Sequence, residues 1–316
     1  MTLSRILFTQ RACKSERSKN KNRKNMNSLI KKSTSLLLRI ISFIIRGCIE
    51  VLTSIASIID FVRIAYLDYI PRPDDIFIVS YPRSGTTWMQ MILYQLSSDG
   101  NMNFTHISEV CPWFERMLSF NIMNGKDLEK LPSPRIFKSH LSYKWIPHGS
   151  CKYIYVIRDG KDVAVSYFHF YTSHLNFTGN FSEFFDKYFM RGNVQYGSWF
   201  KHVAQWKKHE KDSDVLFIHY EDLVNDLEST LSRIIAFCGF DVAEDRMPEI
   251  IERCSFAFMK KYENKFDHIS AVIWEKGYKQ NSFIRKGQSG SGNNYFNNEQ
   301  ETLFNEELTR MELTDI

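Results

Sequence analysis

The chain of 316 residues contains no CxxC pair and no histidine cluster at metal-ligand spacing. Its six cysteines, Cys13, Cys48, Cys111, Cys151, Cys238 and Cys254, stand far apart. That argues against a disulfide framework or a zinc site and makes reduced core thiols the expectation. There is no GxxxxGK[ST] loop, which argues against ordinary nucleoside-triphosphate chemistry around Mg²⁺. No uncharged run reaches the ~18–20 residues that a membrane-spanning helix needs. No internal repeat is visible. Three Asn-x-Ser/Thr triplets, at Asn103, Asn176 and Asn180, are about the number that chance supplies and carry no weight as glycosylation sites.

What is present suits one substantial core plus an extension, since 43% of the residues are hydrophobic. The basic balance is local. Residues 1–32 hold ten Lys/Arg against the single acid Glu16, which leaves 31 basic and 35 acidic side chains for the rest. The main domain therefore gives no reason to expect a nucleic-acid partner. Residues 1–34 read as a polar basic tail, disordered alone, and residues 35–70 as an amphipathic helical extension. In the apolar run 35–66, Arg39, Ser42, Arg46, Glu50, Thr53, Ser54, Ser57 and Asp60 fall on one narrow stripe at about 100° per residue. Such a helix either packs on the domain or lies in a membrane interface with the basic tail drawn to anionic lipid. A mitochondrial presequence is a weaker third reading.

From Pro71 onward short apolar runs alternate with helical patterns. Strands are expected at 75–80, 135–138, 152–157 and 214–219, and helices near 87–97, 161–172, 181–190, 195–210, 226–238 and 247–261. This predicts an α/β fold, a single doubly wound domain over 71–316 with a central, mostly parallel sheet flanked by helices. Residues 288–298, rich in Gly, Ser and Asn, read as an irregular loop.

Four segments carry chemistry. Tyr81-Pro82-Arg83-Ser84-Gly85-Thr86-Thr87-Trp88 lies between a strand and a helix, the layout that aims backbone N–H groups and a helix N-terminus at a phosphate. Arg83 adds a fixed charge and a donor fork. Arg158, at the end of the 152–157 strand, and Ser166, in the second turn of the next helix, can converge on one anion, although Arg158 could instead pair with Asp162. Arg285-Lys286-Gly287 could close over that anion or be a solvated surface pair. Lys138 and His140, two apart after a short strand, point to one side; a lone histidine is more often structural than catalytic.

Together these segments resemble the cytosolic sulfotransferase family. The YPxSGTTW loop, the K-x-H pair, the R-x-x-K-D-V-A-V-S-Y-x-H-F stretch, Tyr220-Glu221-Asp222 and the closing RKG stand in the family's order, from about Pro71 to Phe304. The Tyr196-Gly-Ser-Trp199 stretch with His202 and Trp206 is also similar. The resemblance implies a P-loop-like phosphosulfate-binding loop and transfer of a sulfuryl group from 3′-phosphoadenosine 5′-phosphosulfate (PAPS) to a hydroxyl or amine of a small acceptor, without a metal, in the cytoplasm. By position it implies that Arg83, Ser84, Gly85, Thr86 and Thr87 hold the 5′-phosphosulfate. Trp88, Tyr220 and Phe256 would surround adenine, and Arg158, Ser166, Arg285, Lys286 and Gly287 would hold the 3′-phosphate. His140 would be the base, with Lys138 and Arg83 stabilising charge on the transferring group. Trp113, Phe114 and Phe170 suggest an aromatic acceptor pocket, or equally core.

Three departures stand out. Arg83 replaces the lysine usual in cytosolic members and resembles Golgi protein and carbohydrate sulfotransferases. The family's GxxGDWK becomes Gly287-Gln-Ser-Gly290-Ser291-Gly292-Asn293, which predicts a looser cofactor lid. The dimerisation motif is replaced by Asn293, Asn297, Asn298 and Thr302, which puts that homodimer in doubt. Beside the small-molecule enzyme stand a PAPS-binding protein with little turnover and a Golgi-type enzyme, with a nucleotide kinase as a further, disfavoured reading.

Overall fold

Short runs of β-branched and aromatic residues supply the sheet. The computed structural model describes residues 33–42, 44–45, 47, 69–116, 128–267, 283–285 and 287–316. Among them β1 (Ile76–Val79), β2 (Ile136–Ser139), β3 (Lys152–Ile157) and β4 (Val215–His219) form one parallel sheet in the order β2-β1-β3-β4. Alternation along each strand sends neighbours to opposite faces. Phe77, Val79, Phe137, Tyr153, Tyr155 and Phe217 join one buried cluster, whereas Ile76, Ile78, Ile136, Ile154, Val156 and Ile218 join the other.

Each face is closed by helices. Helix α1 (Thr86–Ser97) and the later α6 (Leu227–Cys238) cover the aliphatic face through Met89, Ile92, Leu93, Leu231 and Ile234. The aromatic face is covered by α2 (Gly160–His174) and α4 (Trp199–Lys207), through Val163, Tyr167, Trp199, Val203 and Trp206. Between those two lies α3 (Phe181–Phe184), continued by a π-turn at Phe185–Phe189. After β4 the chain forms α5 (Tyr220–Asn225), then α6, α7 (Met247–Arg253), α8 (Phe256–Lys261) and finally α9 (Asn298–Arg310). The chain runs from β1 to β2 on one side and to β3 on the other. The crevice at the switch point therefore opens at the carboxyl ends of β1 and β3.

Three helical expectations and one loop differ in extent. The 195–210 helix starts only at Trp199, because Tyr196 (φ 70°) and Gly197 (φ 73°) are left-handed and end any helix there. The 247–261 helix is two helices, since the Ser255 side chain accepts from Phe258 N–H and starts a new one. The 181–190 helix passes into the π-turn at Phe185. The loop expected at 288–298 holds a 3₁₀ turn at Ser291–Asn294. Asn297 then caps α9, with Gln300 completing a capping box.

Contacts divide the chain into two units, 1–59 and 60–316. In the first, the described residues 33–42, 44–45 and 47 are helical, and Leu36, Leu37, Leu38, Ile40, Ile41, Ile44 and Ile45 are exposed. The expectations for residues 1–32 and 48–68 fall outside the described residues. Among those described, no helix is long and apolar enough to cross a membrane.

At the amino edge of the sheet Asp75 and Arg135 form a fully buried pair at 2.7 Å, and Tyr69 donates to Asp75 Oδ2 at 2.5 Å. Arg135→Ala leaves an uncompensated buried carboxylate and should cost about 3–5 kcal/mol of stability. Equilibrium urea unfolding measures it, and a loss below about 1 kcal/mol would show the pair to be dispensable.

Candidate active site

The loop after β1 turns through two left-handed residues, Arg83 (φ 71°) and Gly85 (φ 101°). Gly85 is required twice over, by that φ and because a Cβ there would stand 2.8 Å from the Tyr220 ring. It is also the N-cap of α1, and no side chain caps the helix. The first-turn N–H groups have no intrahelical acceptors, and the helix end is electropositive. Thr86, Thr87 and Trp88 face the cavity with Arg83 and Gly85, whereas Ser84 is buried. Thr86 and Ser80 share a hydroxyl hydrogen bond of 2.5 Å.

Cations gather around this loop. Arg158, Arg285 and Ser166 line the same cavity. The alternative pairing of Arg158 with Asp162 is present but long, at 3.4 Å. Its Nη2 also donates to the Gln288 carbonyl at 2.9 Å, while the guanidinium lies 4.2 Å above the Tyr220 ring. Its buried Nε finds no partner among the described residues. An orphaned charged donor is what an anion site looks like before the anion arrives. Arg83 spans Ser166 Oγ (3.3 Å) and the Phe283 carbonyl (2.9 Å) between the Phe170 and Phe283 rings. Burial and Arg158 pull its pKa down to about 10, so it stays charged at neutral pH. Burial, with Arg158 adding to it, likewise lowers Arg285.

The β2 end supplies Lys138 and His140. The Nδ1 of His140 faces the Ser80 carbonyl at 2.8 Å, and a carbonyl can only accept, so Nδ1 carries the proton. That leaves Nε2 as the lone-pair nitrogen of a ring lining the cavity. Burial first and Lys138 second push its pKa well below the usual histidine value, so it is neutral at pH 7. Its main chain is gripped as well. His140 N–H donates to Glu115 Oε1 (2.8 Å), and His202 Nε2–H donates to the His140 carbonyl (3.1 Å), with Tyr155 OH donating to His202 Nδ1 (3.0 Å). Glu115 and Ser80 carry no sequence signal as site residues, and His202 is noticed only through the family resemblance.

The remaining wall is aromatic. Trp113 pairs with Lys138 as a β-bridge, lies edge-on to His140 at 5.2 Å and takes the Lys138 ammonium at 4.0 Å from its ring. Tyr196, Tyr167, Phe170 and Phe283 complete it. Phe114 does not join them. It packs edge-on against Tyr69, Phe77 and Phe137 in the core, because its neighbour Trp113 takes the cavity side. Tyr220 and Phe256 also line the cavity, and a Cβ on Gly287 (φ 61°) would run into the Phe256 ring. Lys286 lies outside the described residues. No group of three or more His, Cys, Asp or Glu among the described residues is placed to hold a metal.

A parallel sheet whose switch point carries an uncapped helix end, a cluster of cations and a neutral histidine defines a group-transfer enzyme acting on an anionic donor. A sulfotransferase domain model matches residues 73–312. Human sulfotransferase 1E1 is 38% identical over 237 residues, covering 71% of this chain and 79% of its own. Mouse sulfotransferase SULT7A1, solved with PAP, is 33% identical with a TM-score of 0.61, over 80% of this chain and 88% of that one. Retinol dehydratase, solved with androsterone and inactive cofactor PAP, is 26% identical with a TM-score of 0.65, over 82% and 85%. The chain belongs to the sulfotransferase family. It is a PAPS-dependent sulfotransferase of small acceptors, which sets aside the non-catalytic and kinase readings.

Lys138 gives the site a measurable titration. Desolvation lowers its pKa from 10.5 to about 7. A lowered lysine destabilises the fold fully below about pH 7, and the penalty fades as pH rises toward 10.5. An anion in the cavity reverses the shift, so nucleotide binding at pH 8 should take up a proton. Calorimetry in buffers of different ionisation enthalpy should detect it, and Lys138→Met should remove it. Undiminished uptake in that variant would assign the titration elsewhere.

Proposed function

We propose that His140 is the general base and that the acceptor is a lipophilic alcohol or phenol. The observation that carries this is the Nδ1–H contact to the Ser80 carbonyl, which reserves Nε2 for the acceptor's proton. The in-line transfer spreads negative charge over the moving sulfuryl group. Preorganised cations and N–H donors should therefore dominate the acceleration, with the base adding roughly 10²–10⁴-fold. In this reading Arg83, Ser84, Gly85, Thr86 and Thr87 hold the phosphosulfate, and Lys138 meets the developing charge. Trp88, Tyr220 and Phe256 take the adenine, while Arg158, Ser166, Arg285, Lys286 and Gly287 take the 3′-phosphate. Lys138, whose ammonium gives up a proton more readily than a guanidinium does, is better suited than Arg83 to pass a proton to the departing phosphate. Trp113 and Phe170, with Tyr167, Tyr196 and Phe283, form the acceptor wall. The androsterone bound to retinol dehydratase supports an acceptor of this apolar kind.

3′-Phosphoadenosine 5′-phosphate should raise thermal stability by about 2.7 kcal/mol at 100 times its Kd, and ATP at equal concentration much less. Equal gains would reject the 3′-phosphate assignment. His140→Ala should abolish transfer to phenols and sterols with nucleotide affinity within a few-fold. Near-normal turnover in that variant would reject the base.

We further propose that residues 71–316 are the transferase domain, working in the cytoplasm, and that 1–34 and 35–70 form a membrane-contacting tail and helix. The exposed leucines and isoleucines of 36–45 and the ten cations of residues 1–32 support contact with an anionic bilayer. The full chain should co-float with phosphatidylserine vesicles and release as salt rises. Leu38→Glu with Ile41→Glu should end flotation, and retention by that variant would exclude the helix as the anchor.

A further inference from the structure

Glu263 is a buried carboxylate, 2% exposed, at the start of a 3₁₀ turn (Glu263–Lys265) just after α8. Its Oε1 accepts from the Ile284 N–H at 2.6 Å, and its Oε2 accepts from Lys260 Nζ at 2.6 Å. The same ammonium donates to the Ile284 carbonyl at 2.5 Å. One acid and one base thus hold both polar backbone groups of a single residue. On one side of that residue the Phe283 carbonyl receives Arg83. On the other, Arg285 enters the cavity beside Arg158.

Burying a carboxylate is costly unless every contact is made. An exposed Lys–Glu pair would add little to stability. Here the pair fixes the short arm between two arginine contacts of the nucleotide site. We infer that Glu263 and Lys260 are positioning residues for the donor nucleotide: they set the arm that presents Arg285, and so the preference for a nucleotide bearing a 3′-phosphate. The inference rests on the assignment of Arg158, Ser166 and Arg285 to that phosphate.

The test is calorimetric binding of 3′-phosphoadenosine 5′-phosphate and of adenosine 5′-monophosphate to the full chain. Wild type should bind the bisphosphate far more tightly. Glu263→Ala should weaken the bisphosphate about tenfold or more, the loss expected when a charge-assisted contact is misplaced, with the monophosphate within about twofold. Glu263→Gln should lose less. Its amide oxygen can still accept from Ile284, but its NH₂ faces the Lys260 ammonium donor to donor. In turnover, KM for the sulfate donor should rise while kcat at saturating donor stays within a few-fold.

A wild type indifferent to the 3′-phosphate would overturn the site assignment itself. A wild type that discriminates, with Glu263→Ala discriminating equally well, would overturn only the role of Glu263. Equal weakening of both nucleotides would reduce the pair to a structural support. If Glu263→Ala does not fold, Glu263→Gln decides: reduced discrimination upholds the inference and unchanged discrimination rejects it.

Discussion

The ends of β1 and β2 lie side by side, and there the hydrogen bond from His140 Nδ1 to the Ser80 carbonyl joins two chemistries. Ser80 is the last residue before the 81–88 loop, and His140 is the first after β2. Parallel pairing brings both to the same edge of the sheet. The contact fixes the imidazole tautomer and ties His140, the proposed base, to the backbone that turns into the loop before α1. The Ser80 hydroxyl then meets Thr86 in the first turn of α1. Main-chain placement, more than any one side chain, holds the His140 ring beside the 81–88 loop.

Around that junction the protein concentrates positive charge before a ligand neutralises it. Arg83, Lys138 and Arg285 all have lowered pKa values, each chiefly through burial, with neighbouring cations adding to the shift. The charges are held by carbonyl oxygens and ring faces. Phe283 and Gln288 carbonyls take Arg83 and Arg158, and the rings of Phe170, Phe283, Tyr220 and Trp113 lie against the cations. These neutral partners cost less than an acid to give up when an anion enters. Apart from the long Arg158–Asp162 pair, that arrangement leaves favourable interaction available to an entering anion.

Much of the fold was legible in the sequence because local signals and tertiary demands agreed. The apolar runs of β1 and β3 are buried on both faces, and such strands read clearly. The site was legible where a motif forces a backbone shape, as at Gly85, or where alternation sets a side, as for Lys138 and His140. Legibility failed where one of two aromatic neighbours had to choose. Trp113 and Phe114 are equally apolar, and only the β-bridge to Lys138 decides which faces the cavity. It failed too for Glu115, Ser80 and Glu263, whose roles run through main-chain contacts with distant residues. No local pattern encodes such a contact. The Gly/Ser/Asn run hid a capped helix because Asn297 reads as loop until Gln300 is seen to answer it.

The altered stretch Gly287–Asn293, which the resemblance makes a cover for the cofactor, is held by the same kind of main-chain contact. Without the family's Asp, Trp and Lys, a looser cover is the natural expectation. Yet the buried Asp162 accepts from Gly290 N–H at 2.9 Å and from Gly292 N–H at 2.7 Å. Gly292 packs so close to Lys161 that a Cβ would stand 3.1 Å from that residue's carbonyl carbon. Glycine here permits the backbone to reach a carboxylate that a larger residue would keep away. A side chain on α2 therefore holds the backbone of this stretch. Asp162 is also the acid opposite Arg158, so the residue that holds the Gly290 and Gly292 backbone also meets one of the cavity's cations.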